Sequence, residues 1–464
     1  MTRISEAAME LGWLHGEIAV IGLARSGVSV GTLLARTGAE VYASDAGSGA
    51  TLARAAEALR ADGASVDVGR HDLERIARAS LVVTSPGVPP DAPPLATARA
   101  EGIPIVSEVE IGLRFLPALR YVAITGTNGK TTTTALTAHL LRALGLRAEA
   151  AGNIGRPLSE VALSPDPAPW VALEVSSFQL HDTPGIAPDV GVLTNLSANH
   201  LDRYPNVEAY YGDKARLFRN ASAASNWVVN GDDAAAHGLV AGTAGLQVAF
   251  STNGRADAWY DRDGDRLMVL GEPLVARTEL RLVGDHNVAN ALAATLAVML
   301  AEPGHRTRLS VSRLARGLRE FRSLEHRIEP VGEAGGVEWI NDSKSTNVAS
   351  TLVALRGMNR PTVLLLGGRH KGDPYTPLAG ELRRTVKRVI AYGEAGPIVE
   401  QDLKSVVPVE RMPAGVSFER VIEAARDAAA PGDVVLLSPA CSSYDMFDNY
   451  EHRGAEFKRL ALRP

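Results

Sequence analysis

The segment Tyr121–Thr134, YVAITGTNGKTTTT, constrains this chain more than any other stretch. The apolar run Val122-Ala123-Ile124 reads as a buried strand, and Gly126, Gly129, Lys130 and Thr131 follow at once. A helix is expected over Ala135–Leu144, stopped by Gly145. Strand, glycine loop and helix in that order turn backbone N–H groups and the positive end of a helix dipole toward an anion. The Lys130 side chain has the reach for terminal phosphates, and the Thr131 and Thr132 hydroxyls suit Mg²⁺. The spacing is not a strict Walker loop, which would put glycine where Ile124 stands. The plainer alternative is an ordinary tight strand-to-helix turn.

Strand-like and helix-like patterns alternate along most of the 464 residues, which predicts α/β units with mostly parallel sheets. A first unit over residues 1–113 has strands at Glu17–Gly22, Glu40–Ala43 and Leu81–Thr84, then a proline-rich loop at Val88–Pro94. A second, over 114–322, has strands at Trp170–Glu174, Val190–Asn195 and Trp227–Asn230. It also holds a short β insertion between Phe250 and Arg281, and helices Asn287–Leu300 and Val311–Phe321. A third, over 323–464, has strands at Val337–Ile340, Thr362–Leu366, Arg388–Tyr392 and Asp433–Leu437.

Composition narrows the partners. Lys and Arg number 48 against 53 Asp and Glu, so nothing favours nucleic acid or an acidic membrane. The single cysteine, Cys441, excludes an internal disulfide and a cysteine metal cluster, and suits a reducing compartment. No apolar stretch is long enough to span a bilayer, and MTRISEAAMELGWLHGE has no signal-peptide pattern. A cytoplasmic monomer acting on small molecules is expected.

Other loops also follow predicted strands. Gly22-Leu23-Ala24-Arg25-Ser26-Gly27 resembles a dinucleotide loop whose middle glycine is Ala24, with Asp45 where a ribose contact would sit. A nucleotide diphosphate, NAD and a purely structural turn are all open readings. Glu174, at a strand end beside the phosphate loop, is a candidate Mg²⁺ ligand or a buried structural carboxylate. His200, in Asn195–Tyr204, is a metal or substrate ligand or a structural histidine. Lys214, in a helical segment, reads by itself as a surface lysine. The loops NDSKSTN (341–347), GGRHKGD (367–373) and SPACSSYDMFDNY (438–450) each follow a strand, where ligands of open α/β sheets collect.

Together these motifs resemble the Mur ligase family. GTNGKTTTT, the Glu174 strand, NHLDRY, the Lys214 helix, His286–Asn290 and His326-Arg327 occur in the family's order. VSSFQL, NDSKSTN, LLLGGRHKGD and LLSPACSSYDMF point to the member that adds D-glutamate to UDP-N-acetylmuramoyl-L-alanine. The resemblance implies three domains: a Rossmann-like N-terminal domain for the UDP-sugar, a P-loop ATPase-like central domain, and a Rossmann-like C-terminal domain for ATP closure and the amino acid. It implies an acyl phosphate, then a tetrahedral intermediate, with two Mg²⁺ ions.

Carried over residue by residue, Gly126, Thr127, Asn128, Gly129, Lys130, Thr131 and Thr132 would cradle ATP, with Asn290, Arg327 and Asp342 lining the nucleotide. Thr131, its neighbour Thr132 and Glu174 would hold one Mg²⁺, and His200 with a carbamylated Lys214 the other. Lys130, His200 and Lys214 would be the catalytic set. Ala24, Asp45, Ser85, Gly87 and Asn153 would receive the UDP-sugar, and Thr346, Lys371, Ser443 and Tyr450 the D-glutamate. Asn199 stands where the family often has aspartate, and Tyr450 where phenylalanine is expected.

Overall fold

A computed structural model describes residues 16–200, 203–282, 284–322 and 324–463. The N-terminal stretch read above for targeting lies mostly outside these, as do Leu201 and Asp202 of NHLDRY and Ser323, the expected start of the third segment. The chain forms two compact units: Met1–Arg277 with Ala289–Glu320, and Thr278–Val288 with Phe321–Pro464. The first two segments expected from sequence therefore share one unit.

That first unit carries two sheets. The smaller is wholly parallel, in the order Ser65–Val68, Val41–Asp45, Ile18–Ile21, Leu81–Thr84, Ile105–Ser107. Ile18–Ile21 and Leu81–Thr84, at its centre and beside it, are buried at every residue, as strands of a sheet covered on both faces are. The larger sheet has nine strands. Arg120–Thr125 lies in its interior, between Trp170–Glu174 and Val190–Leu193, and pairs in parallel with both. Ala148–Gly152 closes one edge beyond Trp170–Glu174. On the other side, Asn226–Asn230, Leu246–Ser251 and Ala258–Asp261 extend the parallel array; Arg266–Val269 then reverses, and Glu272–Ala276, antiparallel to it, runs with the array again. The expected insertion is thus a continuation of the main sheet.

The second unit holds one six-stranded sheet. Val337–Asn341, Val434–Leu437 and Thr362–Gly367 are neighbours in parallel, with Val386–Tyr392 and Val409–Arg411 beyond them. The opposite edge is Glu329–Ala334, antiparallel to Val337–Asn341. In both large sheets, adjacent parallel strands deliver their following loops to one end, and the sequence motifs sit in those loops. No described helix is long and apolar enough to cross a membrane.

Candidate functional site

The phosphate loop is set by its glycines. Gly126 takes φ of 143° and Gly129 φ of 81°, both in the region that L side chains avoid. A Cβ on Gly126 would lie 2.0 Å from Thr194 Oγ1, and one on Gly129 2.3 Å from Asn290 Oδ1. The helix begins at Lys130 and runs to Ala143, earlier than expected, because the left-handed Gly129 serves as its N-cap. The helix N-terminus therefore adjoins the loop itself. The loop after the neighbouring strand Val190–Leu193 clasps the other side: Asn195 Oδ1 accepts from Asn128 N at 2.9 Å, and Asn195 O accepts from Thr127 N at 2.8 Å. Thr127 Oγ1 donates to Ser197 O at 3.1 Å, and Thr194 Oγ1 donates to Asn128 O at 2.6 Å. Thr133 Oγ1 donates to Asn290 Oδ1 at 3.2 Å, tying Asn290 to the same helix.

Two ammonium groups converge on this loop. Lys130 Nζ donates to Gly126 O and Thr127 O, each at 2.9 Å. Lys214 is 1% exposed, contrary to its reading as a surface lysine, and its Nζ donates to the same Gly126 O at 2.8 Å. Burial drives the Lys214 pKa well down, and the charge on Lys130 pushes the same way. Glu174 and Asp213 oppose that shift. The shift favours the neutral amine, the form of a lysine that reacts with electrophiles.

Glu174 ends its strand beside the loop, 2% exposed. Its Oε1 accepts from Asn153 Nδ2 at 2.9 Å, while its buried Oε2 has no hydrogen-bond partner. An acceptor-only oxygen with nothing to accept from suits a hard cation. Among the described residues no three His, Cys, Asp or Glu side chains cluster as a ready-made metal site. His200 is exposed, with φ of 56°; its ring sits edge-on to Phe178 at 5.2 Å and to Tyr210 at 6.0 Å. Tyr210 also lies under Lys214 Nζ, 4.7 Å from ring centre to nitrogen, so one ring adjoins both candidates.

Ala24, Asp45, Ser85 and Gly87 share one cavity of about 850 Å³ on the smaller sheet. Asp45 Oδ2 accepts from Leu23 N at 2.8 Å and Oδ1 from Gly47 N at 2.7 Å, so it also shapes the glycine loop. Asn153, grouped with them on sequence, does not line that cavity; its amide is on Glu174.

In the second unit, Asp342 is buried and its pKa is pushed up to about 6 by that burial, against hydrogen bonds from Ser345, Ser438 and Ile328 and the charge of Arg327. Asn290 belongs to the first unit, and Arg327 and Asp342 to the second. Ser443 is buried, Thr346 is half-buried and Lys371 is exposed. Tyr450 OH accepts from Lys344 Nζ at 3.0 Å. Sequence reading missed Arg453, which is fully buried. Its Nη2 donates to Ser343 O at 2.8 Å and Cys441 O at 3.1 Å, and its Nε to Ser343 Oγ at 3.0 Å. It binds the NDSKSTN loop to the SPACSSYDMF loop. Asn195 and Tyr210 lay within segments read from the sequence but were not singled out as site residues.

Three domain families match in order: the MurD-like N-terminal domain of Mur ligases over residues 16–107, the Mur ligase middle domain over 124–298, and the Mur ligase glutamate ligase domain over 326–441. The chain is 40% identical to a UDP-N-acetylmuramoylalanine--D-glutamate ligase of Anaeromyxobacter dehalogenans, covering 96% of this chain and 97% of that one. Its identity to the ligase of the same name from Myxococcus xanthus is 39%, covering 97% and 99%. Among solved structures it is similar to UDP-N-acetylmuramate-alanine ligase MurC from Thermotoga maritima, with TM-score 0.61, 19% identity, and 96% and 99% of the chains covered. A MurF ligase from the same organism in complex with ADP aligns with TM-score 0.58, 15% identity, and 91% and 94% covered. At those identities the structural likeness is one of fold.

Proposed function

The chain belongs to the Mur ligase family, and from that premise we propose that it is the ATP-dependent ligase that joins D-glutamate to UDP-N-acetylmuramoyl-L-alanine. The products are the dipeptide nucleotide, ADP and phosphate, in the cytoplasmic supply of peptidoglycan precursor. The amino-acid choice is supported by near-full-length relatives bearing that activity in their names. The reaction class is supported above all by one arrangement: buried Lys214 held on the carbonyl of Gly126.

The alanine carboxylate attacks the γ-phosphorus, forming an acyl phosphate as the bond to ADP breaks. The amine of D-glutamate then attacks the acyl carbon, and phosphate leaves through a tetrahedral intermediate. Both steps develop negative charge, which cations fixed at the site stabilise. Residues 126–132 hold the phosphates, and Lys130 turns from the loop carbonyls toward the terminal one. Glu174, through its unpartnered Oε2, and Thr131 with Thr132 would hold one Mg²⁺. Addition of the Lys214 amine to carbon dioxide, with loss of a proton, would give a carbamate whose oxygens, with His200, would hold a second. Bound Mg²⁺ neutralises charge on the phosphates and the developing oxyanion. Asn290, Arg327 and Asp342 line the nucleotide. Thr346, Lys371, Ser443 and Tyr450 receive D-glutamate. Ala24, Asp45, Ser85 and Gly87 receive the UDP end, with Asn153 nearer the reacting carboxylate. The enzyme works as a monomer on these small molecules.

The test is ADP release with Mg²⁺-ATP and UDP-N-acetylmuramoyl-L-alanine, supplying D-glutamate, L-glutamate, meso-diaminopimelate or L-lysine separately. Release with D-glutamate alone is expected. Release with another amino acid would keep the ligase chemistry and overturn the D-glutamate assignment.

A further inference from the structure

Arg25 is the first residue of helix Arg25–Arg36 and lines the 850 Å³ cavity with Ala24, Asp45 and Ser85. Its guanidinium reaches Glu160 of the central segment. Arg25 Nη2 lies 3.2 Å from Glu160 Oε2 and 3.4 Å from Oε1, and Nε lies 3.3 Å from Oε2. The two side chains are 60% and 34% exposed. A long, solvated ion pair of this kind contributes little stability. Glu160 also has a second cation: Arg156 Nε lies 3.2 Å from Oε1, and Arg156 is itself held by Glu149 at 2.6 Å. Losing Arg25 therefore leaves no carboxylate uncompensated. The helix start beneath Arg25 has no acidic residue in its first turn and no side-chain cap at Ala24, so its field favours an anion.

We propose, resting on the assignment of this cavity to the UDP end of the substrate, that Arg25 is a switched diphosphate ligand. It leaves Glu160 when the nucleotide enters and forks onto the diphosphate oxygens, a geometry guanidinium matches and Glu160 offers only loosely here. Glu160 is then a competing carboxylate that tunes nucleotide affinity, with Arg156 as its remaining partner.

Titration calorimetry on the full chain with UDP and with uridine tests this. Wild type is expected to bind UDP more tightly than uridine. Arg25→Met should weaken UDP about tenfold or more and leave uridine unchanged. Glu160→Gln should tighten UDP severalfold, and the gain should vanish in the double variant Arg25→Met/Glu160→Gln. Thermal unfolding of each variant checks the fold. If Glu160→Gln leaves UDP binding unchanged or weaker, or Arg25→Met affects UDP and uridine equally, the pair is only a strut and the switch is wrong. If wild type binds neither UDP nor uridine, the assignment of the cavity fails with it.

Discussion

The ammonium nitrogen of Lys214 lies 2.8 Å from the carbonyl oxygen of Gly126, inside the phosphate loop rather than at the surface. One residue of the loop thus accepts from two lysines, since Lys130 shares that oxygen. Burial above all, and then the charge of Lys130, lower the proton affinity of Lys214. Lys214→Ala is expected to lower turnover about 10²-fold, on the scale of losing support at a metal site. Acetate or bicarbonate should restore part of it. With ¹³C-bicarbonate, wild type should show a carbamate carbon signal that the alanine variant lacks. Near-normal turnover of Lys214→Ala without additives would remove the carbamate role.

Gly129→Ala tests the loop geometry. The left-handed backbone alone costs about 1–2 kcal/mol for alanine, and the new Cβ would press on Asn290 Oδ1. ATP affinity should fall markedly while UDP affinity stays at the wild-type value. Pairing it with Asn290→Ala should recover only the steric part. Unchanged ATP affinity in Gly129→Ala would show that the nucleotide does not lie on this loop.

How much of this was legible beforehand follows from where each signal lives. Gly126, Gly129 and Lys130 write a local conformation into a local motif, so the loop could be read. The end strands Ser65–Val68 and Ala148–Gly152 were passed over because their short runs mix small and polar residues. The start of the helix at Lys130 was missed because its threonines have weak helix propensity and tertiary packing decides. Lys214 and Arg453 could not be found from composition, since burial is a property of the packed fold. Only the family resemblance marked Lys214, and nothing marked Arg453.

Arg453 should matter for D-glutamate without touching it. Arg453→Met would leave the carbonyls of Ser343 and Cys441 without their donor, at roughly 1–3 kcal/mol for each. The two loops it joins carry Thr346 and Ser443. KM for D-glutamate is expected to rise about tenfold or more, with UDP affinity unchanged. An unaltered KM would mean the loops hold their positions without the clamp.

Glu108 predicts a pH dependence of stability. It is buried in helix Glu108–Phe115, with Oε1 accepting from Ser159 N at 2.6 Å and Oε2 without a partner. Burial, the dominant cause, raises its pKa from 4.5 to about 7. The folded chain then binds this proton more tightly than the unfolded one. The contribution is complete below about 4.5 and is lost as pH rises through about 7. Glu108→Gln should remove that fall, gaining roughly 3 kcal/mol at most above pH 7. Denaturant midpoints measured across pH for both proteins give the comparison. Parallel curves would show that Glu108 does not titrate in this range.

The central claim is that the chain activates a carboxylate by phosphorylation and passes it to D-glutamate. The most direct measurement uses UDP-N-acetylmuramoyl-L-alanine carrying ¹⁸O in its alanine carboxylate, with Mg²⁺-ATP and D-glutamate. The phosphate released should carry one ¹⁸O, delivered through the acyl phosphate, and the label in the amide product should fall by the same amount. Unlabelled phosphate, or no phosphate release with D-glutamate present, would contradict the account.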